Sequence, residues 1–219
     1  MAILAIDGPA GAGKSSVAKA LAHRLQYRYV NTGAIYRTVA LVALRQSLED
    51  EGRLAQAVVD LDMSFEGDNV RLSGEDVSDA IREPRVAQMA SKVSVLPKVR
   101  SSLLELQRRL AREAEKGAVL EGRDIGTVVF PDAETKIFLT ASAETRAKRR
   151  TQQFADKGGH ASYEKILLEI KERDERDSAR AVAPLRPAED AIVVDSDGKS
   201  LDEVVSEIAA IASRGLLDE

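Results

Sequence analysis

The stretch Gly8 to Ser16, GPAGAGKSS, follows directly on the apolar run Ala2 to Ile6, AILAI. It satisfies G-x-x-x-x-G-K-[ST], the pattern of a loop that wraps a nucleoside triphosphate. The pattern carries a structural test, because such a loop leaves a buried strand and opens a helix. AILAI supplies a short apolar strand, and KSSVAKALAHRL spaces Val17, Ala20, Leu21 and Leu25 along one helical stripe. Glycine lets backbone N–H groups turn inward without a side-chain clash, and a helix N-terminus adds partial positive charge where phosphates gather. Gly8, Pro9, Ala10, Gly11, Ala12, Gly13, Lys14, Ser15 and Ser16 are therefore the candidate triphosphate-binding set. Lys14 is placed to bridge the terminal phosphates. Ser15 is the candidate ligand for Mg²⁺, a hard cation that takes a hydroxyl, waters and phosphate oxygens rather than a dedicated protein cage.

The 219 residues allow one substantial core with excursions from it. Charged residues make up 31% and apolar ones 44%, and the apolar runs fall short of the roughly 20 residues that a membrane helix needs. The N-terminal apolar run leads straight into the glycine-rich loop, so it reads as part of the fold rather than as a leader, and a soluble cytoplasmic chain is expected. There is no cysteine, which excludes disulfides and thiolate metal sites, and the two histidines, His23 and His160, are isolated. A net charge of -4 argues against a large nucleic-acid surface, and four tyrosines and four phenylalanines are too scattered for a base-stacking platform. Positive charge is instead local, in Arg146, Arg149 and Arg150 and in Arg173, Arg176 and Arg180.

Along the chain, a strand over 2–6, a helix over 14–26, a strand near 28–30 and a helix over 34–46 alternate as in an α/β parallel sheet flanked by helices. Between 62 and 78, short extended pieces broken at Gly67-Asp68-Asn69 and Gly74 read as a small antiparallel meander. Helical periodicity returns over 84–96, and Pro97 starts a helix running to about 116. Core strands follow at AVLEG and KIFLT, then two charged helical segments within 142–180 around the loop FADKGGHASYEK, then the strand AIVVD and a helix from Leu201 to Ser213.

Several uses of a triphosphate are disfavoured by what the chain lacks. No Asn-Lys-x-Asp guanine-reading motif occurs, and the DxxG match lies near the end, at Asp195 to Gly198. The strand GAVLEGRDIG ends in Arg123 and Asp124 rather than in the acidic pair of a motor ATPase. Ligands gather at the carboxyl ends of strands in open α/β sheets, so this pair is well placed. An enzyme that hands phosphate to a phosphorylated acceptor must neutralise two anions and needs no strong base, which favours a site rich in arginine and poor in histidine.

With NTGAIYR at 31–37, GRDIGTVVFPDAETKIFL at 122–139 and KERDERDSARAVAPL at 171–185, together with GPAGAGKSS, essentially the whole chain resembles the bacterial cytidylate kinase family of nucleoside monophosphate kinases. The resemblance implies a P-loop NTPase-type parallel sheet flanked by helices, with a nucleoside-monophosphate-binding insertion and a helical lid. On that basis residues 1–31, 101–145 and 181–219 are expected to form the core, 32–100 the insertion and 146–180 the lid. It implies Mg²⁺-dependent transfer of the γ-phosphoryl group of ATP to CMP or dCMP. No stripe of heptads suggests a coiled coil, so a monomer is the expectation from the sequence itself. The resemblance also implies that Thr32, Tyr36, Arg37, Ser91, Arg100, Arg123, Asp124, Asp177 and Arg180 bind the monophosphate, and that Lys14, Arg123, Arg173 and Arg180 serve transfer. Asn31 stands where the family often has aspartate, and no role is assigned to it.

Residue types alone leave several of these positions open. Thr32 is a good helix N-cap, Arg100 reads as a charge on a solvated helix face, and KERDERDSAR reads as a salt-laced helix that, if continuous, carries Arg173, Arg176 and Arg180 on one face. Arg146, Arg149 and Arg150 likewise share a face, and any of the three could stack on adenine, with Arg150 carried as the ATP-binding candidate. Rival readings are a kinase of UMP, shikimate or dephospho-coenzyme A on the same core, and an ATP-gated RNA-binding protein.

Overall fold

A computed structural model of the chain describes residues 1–67, 69–156 and 158–215, with side chains as far as Ser213. Asp68, Lys157 and residues 216–219 lie outside the described residues, and with them part of the expected meander turn, part of the expected lid loop and the end of the expected core. In chain order the elements are β1 (Ala2–Asp7), α1 (Lys14–Leu25), β2 (Arg28–Asn31), α2 (Thr32–Arg45), α3 (Glu51–Val59), β3 (Met63–Glu66), β4 (Asn69–Leu72) and β5 (Glu75–Asp76). They continue with α4 (Pro84–Val93), α5 (Pro97–Arg112), β6 (Gly117–Gly122), β7 (Thr135–Thr140), α6 (Ala143–Asp156), α7 (Tyr163–Ser178), β8 (Ile192–Asp195) and α8 (Leu201–Gly215). Among the described residues no helix is long and apolar enough to cross a membrane.

One compact unit comprises Met1–Tyr29 and the chain from Ala114 onward. Its sheet has the order β2-β6-β1-β7-β8, and β6, β1, β7 and β8 pair in parallel. Strands buried on both faces need continuous apolar runs, which is why AILAID and GAVLEG lack polar alternation. Helices α1 and α8 pack against each other, and Val17, Leu21 and Ile208 close a core over Leu4, Ile6, Ile137 and Leu139 of the sheet. The buried side of α1 is Val17, Ala18, Leu21 and Ala22, a small rotation from the expected stripe, with Ala20 and Leu25 half-buried at its border.

The second unit runs from Val30 to Glu113. Here α2 packs on α4, α3 packs on α5, and β3-β4-β5 form the antiparallel meander. Helix α5 belongs with this unit through α3, so the chain changes unit near 113 and not at 100. That helix also ends at Arg112, short of the expected 116, and Gly117 is already paired with Ala2 as the first residue of β6. Helix α3 was not expected from the sequence. Its signals are Asp50, which accepts from the Arg53 N–H at 2.9 Å, and the i, i+4 pair Leu54 and Val58 on its buried side.

The start of α2 corrects the reading of Thr32. Asn31 is the N-cap, its Oδ1 accepting from the Ala34 N–H at 2.9 Å, and Thr32 is the first residue of the helix, with its side chain buried. Both residue types cap well, and the extended backbone at Asn31 decides between them. Asn31→Ala is expected to lower unfolding stability by about 1 kcal/mol in chemical denaturation, with Asn31→Asp close to the native value. Equal stability of the alanine variant would contradict the cap.

Candidate active site

The loop after β1 turns on glycines that other residues could not replace. Gly8 has φ 148°, and a Cβ there would lie 2.0 Å from the Leu139 carbonyl oxygen of β7. Gly13, at φ 96°, ends the loop as the residue before α1 and offers no side chain to the first N–H groups of the helix, which leaves them for an anion. Lys14 is buried and donates to the Pro9 carbonyl at 2.8 Å. Ser15 Oγ donates to Glu121 Oε1 at 2.6 Å, and the Tyr29 hydroxyl donates to the same oxygen at 3.0 Å. The loop is also held from outside, by Arg146 on the Ala10 carbonyl and by Ser196 Oγ on the Ala12 carbonyl.

Beside this loop the first unit gathers cations. Arg123 donates through Nε to Asp177 Oδ2 at 3.0 Å and through Nη1 to its neighbour's carbonyl, Gly122 O, at 3.2 Å. Arg180 pairs with the other oxygen of Asp177, and Arg173 Nε lies 3.9 Å from that carboxylate. Asp177 is buried under the three guanidinium groups. Burial pulls the Lys14 ammonium down from its usual 10.5 to about 7, with Arg123 adding to the fall and Glu121 and Asp7 opposing it. Partial desolvation likewise holds Arg173 below its usual value, followed by repulsion from Arg123, even though its side chain is 44% exposed. Arg150 and Arg180 also repel Arg173, so the expected transfer residues Lys14, Arg123, Arg173 and Arg180 share one electrostatic neighbourhood.

The helix carrying the last arginines is not continuous through Arg180. Helix α7 ends at Ser178, so Arg180 reaches Asp177 from the following turn and Arg176 remains exposed. The salt-laced reading holds for Glu172 and Glu175, which are exposed, and fails for Asp177. Within the basic triplet of α6 the three arginines part company. Arg146 is buried on the loop, Arg149 donates to Ser196 Oγ at 3.0 Å and to the Ser196 carbonyl at 2.7 Å, and Arg150 lies 6.0 Å from the Phe154 ring centroid.

The second unit brings Tyr36 and Arg100 together, with the guanidinium 5.8 Å from the ring centroid. Arg100 is buried and donates to the Ser94 carbonyl at 3.0 Å, so it is not on a solvated face. A Cβ at Gly33 would lie 3.4 Å from Arg37 Nη1, so the Arg37 guanidinium folds over the first turn of α2. Ser91 stands half-buried on α4, which packs on α2, and its carbonyl accepts from Ser94 Oγ at 3.0 Å. His23 and His160 are both exposed.

Sequence reasoning missed Asp7, Glu121 and Asp174. Asp7 and Glu121 end or nearly end the adjacent buried strands β1 and β6, and an acid at the carboxyl end of an apolar strand is the signal that marks them. Asp7 Oδ1 and Oδ2 accept from the N–H groups of Ile125 and Gly126, each at 2.8 Å, and so cap the π-helical turn Ile125–Val129 that follows Arg123 and the buried Asp124. Among the described residues no group of three or more His, Asp or Glu is arranged to hold a metal ion. A hydroxyl at the helix start beside a carboxylate, as in Ser15 and Glu121, instead fits an Mg²⁺ that arrives with phosphate oxygens.

Burial pushes the Asp7 carboxyl up from 3.8 to about 6, against the two N–H bonds and the nearby Lys14 that pull it down, with Asp124 adding to the rise. A raised folded-state value means that the folded chain favours the protonated acid. Its contribution to stability is therefore present in full below about pH 4 and lost as the pH rises through about 6, amounting to roughly 3 kcal/mol. The stability difference between the native chain and Asp7→Asn, followed by urea denaturation, is expected to be largest near pH 4, to shrink as the pH rises to about 6 and to level off above it. A difference independent of pH would contradict this environment for Asp7.

A sequence model of the family described as cytidylate kinase matches residues 4–214. The chain is 48% identical to cytidylate kinase of Carboxydothermus hydrogenoformans over 96% of its length and 97% of the relative's. It is 49% identical to cytidylate kinase 1 of Haemophilus influenzae, over 97% and 94% of the two chains. Among solved structures, an uncharacterised protein of Eubacterium ventriosum superposes with a TM-score of 0.54 at 16% identity, covering 97% of this chain and 98% of that one, which is a likeness of fold alone. The match along nearly the whole length, through both the phosphate loop and the arginine-bearing segments, places the chain in the cytidylate kinase family.

Proposed function

We propose that the chain transfers the γ-phosphoryl group of ATP to CMP or dCMP, giving ADP and CDP or dCDP, as a monomer in the cytoplasm. The observation that carries this reading is the gathering of Arg123, Arg173 and Arg180 about the buried carboxylate of Asp177, with Lys14 of the phosphate loop within electrostatic reach of Arg123 and Arg173. So much positive charge is more than a triphosphate alone calls for, and it suits a donor and an acceptor that both bring phosphate.

The acceptor oxygen of a nucleoside monophosphate is already anionic, so the residues have to position and neutralise rather than remove a proton. The exposed histidines agree with that. Residues 8–16 cradle the ATP phosphates, Lys14 follows the migrating charge, and Arg150 serves the adenine end. By the family likeness, Thr32, Tyr36, Arg37, Ser91 and Arg100 bind the monophosphate, as do Arg123, Asp124, Asp177 and Arg180. The hairpin of α6 and α7 acts as the lid that excludes water from the transfer. Mg²⁺, held through Ser15 and phosphate oxygens with Glu121 behind the hydroxyl, supplies further charge neutralisation when bound.

ADP release coupled to a reporter, with CMP, dCMP, UMP, shikimate and dephospho-coenzyme A offered in turn, tests the reading. CMP and dCMP are expected to stimulate turnover strongly and the last two not at all. Absence of stimulation by CMP would overturn it. Lys14→Ala is expected to lower kcat at least about a hundredfold with an unchanged circular dichroism spectrum, because it removes a contact made to the developing charge. Near-normal turnover in that variant would count against the assignment.

A further inference from the structure

Arg146 lies in the first turn of α6 with a side chain only 5% exposed, and its guanidinium faces three partners from different parts of the chain. Nε donates to the Ala141 carbonyl at 3.0 Å, where β7 gives way to α6. Nη1 donates to the Ala10 carbonyl of the phosphate loop at 3.1 Å. Nη1 and Nη2 meet Asp174 Oδ1 and Oδ2 at 3.0 Å and 2.5 Å in a two-pronged ion pair. The methylenes of Arg146 cover the loop as well, since a Cβ on Gly11 would lie 3.3 Å from Arg146 Cβ.

Asp174 is on α7, next in sequence to Arg173 and one turn before Asp177. Its side chain is 27% exposed, so its pairing is not that of a freely solvated surface charge. A forked arginine–carboxylate pair fixes both distance and plane, and a carbonyl in a glycine-rich loop marks the position of that loop's backbone. The fully buried apolar residues between α6 and α7 are a small cluster of their own, Ala147, Ile166 and Ile170, with Ala143, Ala161, Tyr163 and Leu167 half-buried against it. A hairpin with so small a buried cluster depends on its polar contacts for its register.

We infer that Asp174 and Arg146 are positioning residues that key helix α7 to the backbone of the phosphate loop, and so set where Arg173 stands relative to the migrating phosphoryl group. Four of the five N–H donors of Arg146 are engaged in this network, one at Nε, two at Nη1 and one at Nη2. Of the three basic residues on its helix face, Arg146 is therefore the one committed to the loop rather than to stacking on a base. The inference rests on the proposed role of Arg173 in transfer.

The test is a double-mutant cycle on the full chain, using the coupled ADP assay with CMP and, separately, equilibrium binding of a fluorescent ATP analogue. Asp174→Asn is expected to lower kcat about tenfold or more while changing the affinity for the analogue less than about threefold, because the loop itself stays formed. In an Arg173→Ala background the same substitution is expected to lower kcat less than about twofold further, since the residue through which it acts is gone. Asp174→Glu keeps the charge but not the reach. It is expected to lower kcat with little change in thermal midpoint, which covers the case in which the asparagine variant folds poorly. An equal fold loss in both backgrounds, or no loss of kcat in either Asp174 variant, would overturn the coupling. Native turnover in Arg173→Ala alone would instead remove Arg173 from the reaction, and with it the route by which Asp174 reaches the chemistry.

Discussion

Crowding cations beside a glycine-rich loop is unfavourable until an anion arrives, and this constraint organises the first unit. Lys14 is buried, and Arg123 and Arg173 both oppose its charge. Asp177 partly offsets the crowding by accepting from Arg123 and Arg180 while Arg173 stands near. Glu121 and Asp7 favour the charged form of Lys14 from the strand ends below. The carboxylates hold the arginines in position without cancelling them, so positive potential remains for phosphate to discharge.

Preorganisation of this kind requires a backbone that does not give way. Gly8 lets the loop pass within contact of the Leu139 carbonyl, Ser196 and Arg146 tie down the Ala12 and Ala10 carbonyls, and Asp7 caps the π-helical turn just beyond Arg123. Each tie joins the loop or its strand to a different later segment of the chain. The arginines of the transfer site and the loop that faces them are thereby referred to one sheet, β6-β1-β7-β8.

Much of this frame was legible because it is local. The apolar run, the glycine loop and the amphipathic helix that follows are neighbours in sequence, as are the meander pieces and the strands AVLEG and KIFLT. The cap of α2 was misplaced by one residue because Asn31 and Thr32 both have capping chemistry and only the backbone distinguishes them. Arg100 looked solvated because its burial depends on packing that helical periodicity does not record. Asp7, Glu121 and Asp174 were missed because their partners are Ile125, Ser15 and Arg146, contacts made by the fold across long stretches of chain. The family likeness named the arginines that matter. The carboxylates and carbonyls that hold them emerged only with the fold.

The state of the Lys14 ammonium tests the account most directly, because it reports both the burial of that side chain and the cations around it. A pH titration of the Lys14 side-chain NMR signals in the free protein is predicted to have its midpoint near 7, shifting upward when a non-hydrolysable ATP analogue is added. A midpoint near the ordinary 10.5 in the free protein, unmoved by the nucleotide, would contradict it.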